Sequence, residues 1–309
     1  MKNVVMFILL LSGMFIGCST TAVIKSRPQL TRESYISRVD SLERDFFVYL
    51  PLGYDGSDQK WPVLLFLNGD GERGDGKADL DYVLKHGPLY EAWIQKRDLS
   101  FIIVSPQLHM FGRDGPDGPD YILNRKRSEI PQRLDEGIPP HSQEMPAREI
   151  AGPMVGSVGA EKSELNDMVE KTGWNKTDPD VIAVLDTVLA KFQADTGRVY
   201  LTGLSMGGYG TWYYAARYPE RFAAILPIVG YPTMEQAEAV AKAGVPAWCF
   251  SGGRDFVVPT RFFFPGMNKM EEAGGVMRFT TEQDMFHDVW NRVYRGEDAY
   301  NWLLQYRKK

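Results

Sequence analysis

The pentapeptide Gly203-Leu204-Ser205-Met206-Gly207 places a serine between two glycines, a spacing that suits a nucleophile on a tight turn. An apolar run at residues 199–201 precedes it, and a helical pattern at residues 206–218 follows it. Where a strand turns sharply into a helix, the serine hydroxyl projects above the sheet edge, and glycines are needed because the two backbones crowd the turn. The bare pattern is common and also fits a glycine-rich helix cap, but this context favours Ser205 as a nucleophile.

An oriented base is needed as well, because a free serine hydroxyl is a weak nucleophile. After a serine on such a turn, the acid and then the histidine follow in chain order. Of the four histidines only His287 lies after Asp255, and Asp255 comes shortly after an apolar run at residues 247–250. Asp255 is therefore expected at the carboxyl end of a strand, where catalytic groups gather. We predict a triad in which His287 takes the Ser205 proton and Asp255 orients the imidazole.

Alternatives to this triad remain open in the sequence. Asp255 also fits the start of a simple turn before Val257. Three further acids near His287 compete for the same role: Glu282, Asp284 and Asp288. The remaining histidines are expected in surface roles, one at a helix end and two in an insertion: His86, His109 and His141.

Backbone N–H groups must stabilise the charge that develops on the substrate oxygen during attack by a serine. One donor is predicted at Met206, directly after the serine, and a second in the glycine-rich loop at residues 68–74. In that loop we predict the N–H of Asp70, with Gly69 as the alternative. The glycines also suggest a phosphate loop, but the Lys-Ser/Thr ending of such a loop is absent.

The elements that must position these residues follow from the hydrophobic pattern. Continuous apolar runs without alternation indicate strands that are covered on both faces, and helical periodicity separates several of them. We therefore predict an α/β fold with a mostly parallel, doubly wound sheet and an insertion at about residues 107–176, before the nucleophile strand. The predicted strands lie at residues 46–50, 63–67, 101–104, 199–201, 223–229, 247–250 and 277–280, and helices at 181–192, 206–218 and 234–243.

Composition narrows the possible functions. The 309 residues carry a formal net charge of −5, which gives no electrostatic case for binding nucleic acid or an anionic membrane surface. The two cysteines, Cys18 and Cys249, provide no disulfide framework and no cysteine-based metal site. Cys249 lies in an apolar run and is expected to be a small buried residue. We predict no metal.

The N-terminal segment is predicted to direct export. Lys2 precedes an apolar run at residues 4–11, which has the composition of a secretory signal and is too short to span a membrane. The segment 15–19 resembles a bacterial lipobox. We predict a signal peptide at residues 1–17, a lipid-modified Cys18, a tether at 18–43 and one domain at 44–309. The protein would then be anchored in the bacterial cell envelope, on the periplasmic side or the cell surface; the alternative is an ordinary signal with an incidental cysteine.

Four segments together are similar to bacterial esterases related to polyhydroxybutyrate depolymerases and feruloyl esterases, a group whose members are also named as predicted peptidases or phospholipase/carboxylesterases. These segments are residues 65–74, 198–212, 253–259 and 287–290. The resemblance covers about residues 44–108 and 177–306. It implies a single α/β-hydrolase domain and ester hydrolysis without a cofactor. Asn68 and Ser251 depart from the family, which usually has histidine at both positions.

The leading hypothesis is a serine hydrolase that cleaves carboxylic esters through an acyl-enzyme on Ser205. The lipobox and the resemblance suggest acetyl or feruloyl esters of polysaccharides or a smaller ester substrate. Alternatives are a serine peptidase of the same fold and a non-catalytic, glycan-binding lipoprotein. Three tryptophans near the motifs suit either a substrate pocket or the core: Trp174, Trp212 and Trp290.

Overall fold

Eight strands form one sheet in the computed structural model, which describes residues 27–55, 58–141, 145 and 157–308. The strands are Gln29–Ile36 (β1), Glu43–Leu50 (β2), Trp61–Leu67 (β3), Ile102–Ser105 (β4), Ala194–Leu204 (β5), Ala224–Ile228 (β6), Ala247–Gly252 (β7) and Met277–Glu282 (β8). Their spatial order is β1-β2-β4-β3-β5-β6-β7-β8. The pairs β1–β2 and β2–β4 are antiparallel, and every other pair is parallel.

Helices cover both faces of this sheet. They are Gly87–Leu89 (α1), Asp120–Leu123 (α2), Glu164–Thr172 (α3), Asp178–Lys191 (α4), Met206–Arg217 (α5), Met234–Lys242 (α6), Phe264–Glu272 (α7), Trp290–Arg295 (α8) and Asp298–Leu303 (α9). Helices α4 to α7 contribute to the core on one face, while α1, α8 and α9 contribute to the core on the other. This is the predicted doubly wound arrangement, and it confirms the α/β-hydrolase fold.

The central strand β3 shows why the apolar runs do not alternate. Val63 and Leu65 point into one core, and Leu64 and Phe66 point into the other, because successive side chains of a strand face opposite sides. All four are 0–1% exposed, so a polar residue at any of them would be buried without water. An uninterrupted apolar run is therefore what a strand between two helical layers requires.

The predicted tether is wrong over Gln29–Ile36, because this stretch forms β1 and pairs with β2 from Gln29 opposite Leu50 to Ile36 opposite Glu43. An edge strand is held through its backbone, and the side chains of β1 are partly or fully exposed. Its sequence therefore lacks the apolar run that marks the central strands. Residues 1–26, which carry the predicted signal peptide and Cys18, lie outside the described residues.

The insertion lies between β4 and β5, before the strand that leads to Ser205. Its described parts, residues 107–141, 145 and 157–176, contain α2, α3 and two single helical turns, Arg127–Glu129 and Trp174–Thr177, and no strand. Among the residues that the structure describes, no helix is long and apolar enough to cross a membrane.

Asp180 on α4 connects the turn after β1 to the domain. Its carboxylate accepts a hydrogen bond of 2.6 Å from the Ser37 hydroxyl and another of 2.6 Å from the Arg38 backbone N–H. Because Asp180 is 1% exposed, its loss leaves buried donors without an acceptor. We expect Asp180→Ala to lower the free energy of unfolding by about 1–3 kcal/mol, measured by chemical denaturation.

The matched control for this measurement is Asp186→Ala on the same helix. The Asp186 side chain is 55% exposed and pairs with Arg221 at the surface. Exposed ion pairs contribute about 0–1 kcal/mol. Equal losses in the two variants would show that the turn after β1 does not depend on Asp180.

Candidate active site

Ser205 occupies a strained turn between β5, which ends at Leu204, and α5, which begins at Met206. Its φ of 51° lies in the left-handed region, which non-glycine residues adopt rarely and mostly at functional sites. Its backbone N–H donates to the Ile228 carbonyl over 2.9 Å, which ties the turn to the end of β6. The structure thus has the strand–turn–helix context in which a serine hydroxyl is presented at the sheet edge.

The two glycines of the turn have a steric function. A Cβ on Gly203 would lie 2.2 Å from the Gly207 carbonyl oxygen, and a Cβ on Gly207 would lie 1.9 Å from the Leu67 carbonyl oxygen. Both distances are far below contact distance, so any side chain would separate α5 from the strand ends. This crowding also brings the nucleophile turn directly against the loop that follows β3.

The structure places Ser205, His287 and Asp255 in hydrogen-bonding contact. His287 Nε2 lies 2.9 Å from Ser205 Oγ, and His287 Nδ1 lies 2.7 Å from Asp255 Oδ2. The other Asp255 oxygen accepts the N–H groups of Val257 and Val258, both over 2.8 Å. The Asp255 side chain is fully buried. Asp255 therefore closes a turn and faces His287 at the same time, so the two interpretations of this residue are compatible.

Arg292 on α8 engages two of the three competing acids. It forms ion pairs with Asp284 over 2.6 Å and with Glu282 over 2.8 Å. The third acid, Asp288, accepts a long hydrogen bond of 3.4 Å from Asn291. Among these four carboxylates, only that of Asp255 lies within hydrogen-bonding distance of His287.

The expected surface role is wrong for His109, which is 4% exposed and lies 3.6 Å from the Asp180 carboxylate. Burial lowers the pKa of His109 to about 4, so this histidine is neutral. His86 contacts the ring of Trp290, and His141 contacts Tyr90 in the insertion. The predicted insertion thus contributes, in His109, a buried residue that lies close to Asp180 of α4.

The oxyanion loop, residues 68–74, contains a single helical turn at Asp70–Glu72. The Gly69 N–H donates to Glu72 Oε2 over 2.9 Å and is therefore engaged, which argues against Gly69 as the second donor. The N–H groups of Asp70 and Met206 each stand first in a helical turn, where no acceptor within the helix is available. These two remain the candidate oxyanion donors.

Asn68 fixes the start of the oxyanion loop. Its side chain donates to the Gly69 carbonyl over 2.8 Å and accepts from the Leu108 N–H over 3.1 Å. The Asn68 carbonyl in turn accepts the indole N–H of Trp174 over 3.1 Å. Asparagine, with a donor and an acceptor on one amide, can bridge both neighbours at once. The departure from histidine at this position is thus compatible with a fixed loop.

The Asp70 carboxylate receives three donors, one from the loop and two from the insertion. Arg73 is fully buried and pairs with Asp70 Oδ1, while Arg113 and the Tyr121 hydroxyl each reach Oδ2 over 2.6 Å. Burial alone would raise the pKa of Asp70, but these donors outweigh it and hold the pKa below its usual value. The sequence carried no motif for Arg113 or Tyr121.

Glu72 is a second carboxyl group at the site that sequence reasoning missed. It is 7% exposed, and burial raises its pKa to about 7 even though it accepts the Gly69 N–H. The nearest histidine is His86, whose Nε2 lies 3.9 Å from Glu72 Oε1. The only signal in the sequence was its position inside the glycine-rich loop.

A catalytic cleft of about 380 Å³ opens over Ser205, and its lining includes the oxyanion loop, Tyr121 and His287. Its apolar wall comes from the insertion, the turn after Asp255 and α8: Leu165, Met168, Val257, Val258 and Trp290. The Trp290 ring lies 5.2 Å from the His287 ring, edge to face. Trp212 and Trp174 are core residues, 0–1% exposed, so only Trp290 of the three tryptophans lines the cleft.

No group of three or more metal-ligating side chains occurs among the residues that the structure describes. The groups assembled at the cleft are a hydroxyl, an imidazole, a carboxylate and backbone donors. This set suits nucleophilic attack on an acyl carbon with general-base assistance.

Comparison with known proteins supports the fold. The model of the prolyl oligopeptidase family matches residues 162–248, which is less than half of the chain. A thermostable esterase superposes with a TM-score of 0.61 at 24% identity over 90% of this chain, which spans only 63% of that esterase. A ferulic acid esterase superposes with a TM-score of 0.55 at 16% identity, over 90% of this chain and 100% of that esterase. An acylaminoacyl peptidase from Pyrococcus horikoshii superposes with a TM-score of 0.51 at 14% identity, over 89% of this chain and 40% of the peptidase. No curated protein matches the sequence.

These identities lie below 25%, so the superpositions establish the fold alone. The chain has the α/β-hydrolase fold, and its serine, histidine and aspartate are arranged as in serine hydrolases.

The raised pKa of Glu72 leads to a pH-dependent stability. Because the folded-state pKa of about 7 exceeds the usual value of 4.5, the stability that neutral Glu72 contributes is present below pH 4.5 and is lost as pH rises through 7. We expect the unfolding free energy of the wild type to fall relative to Glu72→Gln by on the order of 3 kcal/mol across this window. Denaturation of both proteins at several pH values measures the difference.

Glu220→Gln makes the same chemical change at an exposed position in the turn Pro219–Arg221, and it should follow the wild type at every pH. A Glu72→Gln variant that also follows the wild type would show that Glu72 ionises normally.

Proposed function

We propose that the protein is a serine hydrolase that cleaves carboxylic esters through an acyl-enzyme on Ser205. The observation that carries this proposal is the position of His287, with Nε2 2.9 Å from the Ser205 hydroxyl and Nδ1 2.7 Å from Asp255. A base in contact with the nucleophile and oriented by a buried carboxylate is the arrangement that makes a serine hydroxyl reactive.

In the first step, His287 Nε2 takes the proton of Ser205 Oγ as that oxygen bonds to the ester carbonyl carbon. The negative charge moves to the carbonyl oxygen, where the N–H groups of Met206 and Asp70 are available to stabilise it. The bond to the leaving alcohol then breaks, and His287 returns its proton to the alcohol oxygen. Asp255 remains ionised and stabilises the charged imidazole.

In the second step, water attacks the acyl group on Ser205. His287 takes one proton of this water, the tetrahedral species collapses, and the proton returns to Ser205 Oγ. The carboxylic acid leaves and the enzyme is regenerated, so the reaction consumes one water and needs no cofactor.

For the substrate, we propose acetyl or feruloyl esters carried by polysaccharides. The apolar wall that includes Leu165, Met168 and Trp290 supports a small or aromatic acyl group. The similarity of the fold to that of a ferulic acid esterase is compatible with this choice.

A serine peptidase of the same fold is the second candidate, since the family model that matches residues 162–248 is that of the prolyl oligopeptidases. An ester and an anilide with the same acyl group separate the two functions. Faster turnover of the ester supports an esterase, and comparable turnover of the anilide supports a peptidase.

We also propose that the protein is exported and anchored by lipid at Cys18 in the bacterial cell envelope. The support comes from the apolar segment at residues 4–11 and the lipobox-like residues 15–19. Acyl chains would hold the domain at a membrane without a spanning helix.

The direct test of the catalytic proposal is Ser205→Ala. We expect it to lower kcat on 4-nitrophenyl acetate by at least about 10³-fold, because the nucleophile is lost, and to abolish labelling by a fluorophosphonate probe. The exposed Ser34→Ala on β1 is the serine control and should retain full turnover and labelling. Equal turnover in the wild type and Ser205→Ala would refute the mechanism, and a wild type without turnover or labelling would favour the non-catalytic glycan-binding alternative.

A matched pair of Asp→Asn variants tests, in the same assay, the assignment of Asp255 as the acid of the triad. Asp255→Asn should lower kcat by about 10⁴-fold, because an amide cannot hold the imidazole in its reactive tautomer. Asp284→Asn, which touches Arg292 instead, should retain turnover close to that of the wild type. The reverse order would transfer the role to Asp284.

Lipid attachment is tested by expressing the full chain in bacteria with labelled palmitate. We expect label in the wild type and none in Cys18→Ala, because the acylated thiol is removed. Cys249→Ala is the matched control, since Cys249 is the other cysteine and is fully buried in β7. Label that survives in Cys18→Ala would contradict the proposal.

A further inference from the structure

A second cavity of about 210 Å³ lies beside the catalytic cleft. Tyr209, one turn after Ser205 on α5, lines both spaces. Helix α3 of the insertion separates them, with Leu165 and Met168 lining the cleft and Val169 lining the second cavity. The second cavity is therefore adjacent to the reacting groups, but no residue of the triad lines it.

The lining of the second cavity is uncharged apart from Glu170. Its lining includes four aromatic side chains and three primary amides: Trp174, Tyr209, Tyr213 and Tyr231, and Asn166, Asn175 and Gln236. No lysine, arginine or histidine occurs among the lining residues, so nothing there would neutralise an anionic ligand. An amide offers a donor and an acceptor together, which matches a hydroxyl group, and an aromatic face attracts the weakly positive C–H groups of a saturated ring.

The Asn166 side chain in this polar wall is already oriented in the absence of a ligand. Tyr231 donates its hydroxyl proton to Asn166 Oδ1 over 2.6 Å, and Ser163 approaches the same hydroxyl at 2.5 Å. With its oxygen engaged, the Asn166 amide is oriented by the protein itself. A binding group that is already oriented loses little conformational entropy when a ligand arrives.

Asn175 supplies an acceptor that the protein does not satisfy. Its Nδ2 donates to the Glu170 carbonyl over 3.1 Å, while its buried Oδ1 has no hydrogen-bond partner among the described residues. A buried acceptor without a donor costs about 1–3 kcal/mol, so a small rotation of the Asn175 amide that let a ligand hydroxyl reach Oδ1 would remove that cost.

Trp174 connects the second cavity to the oxyanion loop. Its indole N–H donates to the Asn68 carbonyl, and a Cβ on Gly210 would lie 2.8 Å from its side chain, so it is packed between that loop and α5. A ligand against Trp174 therefore contacts a residue that positions the loop carrying Asp70. Binding energy from a part of the substrate that does not react can in this way assist the reaction.

We propose that the second cavity binds one uncharged sugar ring of the polymer that carries the ester. This inference rests on the proposed function for the link to turnover, whereas the binding itself does not depend on hydrolysis. The volume of the second cavity, about 210 Å³, is adequate for one sugar ring, because an engineered cavity of about 150 Å³ holds one benzene ring.

Binding is tested by calorimetric titration of the full chain carrying Ser205→Ala, with xylotriose and with trigalacturonate as probes. We expect xylotriose to bind and trigalacturonate to bind at least about tenfold more weakly, because no cation lines the cavity. Absence of xylotriose binding, or tighter binding of the anionic sugar, would overturn the proposal.

Two variants, each added to Ser205→Ala, locate the binding. Val169→Phe fills the cavity from α3, and Asn175→Leu removes the unsatisfied acceptor at nearly constant volume. Each should weaken xylotriose binding by about tenfold, while Asp167→Asn, exposed on the same helix and outside the cavity lining, should not change it. Thermal midpoints equal to that of the parent show that each variant is folded, and unchanged binding in both folded variants would contradict the assignment.

Turnover connects the second cavity to the reaction in the protein with Ser205 intact. The ratio of kcat/KM on acetylated xylotriose to kcat/KM on 4-nitrophenyl acetate should fall about tenfold in Val169→Phe and remain constant in Asp167→Asn. An equal loss on both substrates would mean general damage and would overturn the link. If the wild type cleaved neither ester, the proposed function would fail, and the titrations would still decide whether the cavity binds a sugar.

Discussion

Crowding between backbones at Ser205 is the constraint on which the remainder of the site depends. The absence of side chains at Gly203 and Gly207 lets α5 begin directly against the ends of β3 and β5. This proximity forces Ser205 into a left-handed conformation and exposes its hydroxyl at the sheet edge. It also brings the first N–H of α5 next to the loop after β3, so the nucleophile and the oxyanion donors result from one steric arrangement.

Charge is distributed at this edge so that each carboxylate has a defined partner. Asp255 takes two backbone donors and His287, whereas Arg292 engages the nearby Glu282 and Asp284. Arg292 therefore gives both of these carboxylates a partner other than His287. Glu72 differs from these ionised carboxylates, because its burial raises the pKa and so favours the neutral carboxyl group within the cleft wall.

The insertion is connected to the site by hydrogen bonds as well as by apolar contact. Arg113 and Tyr121 bind the Asp70 carboxylate, and the insertion's Trp174 binds the Asn68 carbonyl. The loop that offers the oxyanion donor is thus supported from two places in the insertion. The same segment forms α3, which divides the catalytic cleft from the second cavity, so the insertion both stabilises the loop and shapes the space available to a substrate.

Short-range physical effects explain which features of this protein could be predicted from its amino-acid order. The glycines around Ser205, the apolar runs of the strands and the chain order of Ser205, Asp255 and His287 are set by short-range sterics and by the periodicity of buried elements, so the fold and the candidate triad could be predicted. Three further features follow from packing between elements: β1 joins the sheet, Arg292 engages the competing acids, and the Gly69 N–H is already bound. The bond between Trp174 and Asn68 joins residues 106 positions apart. Such contacts depend on how whole elements pack, and no pattern of neighbouring residues encodes them.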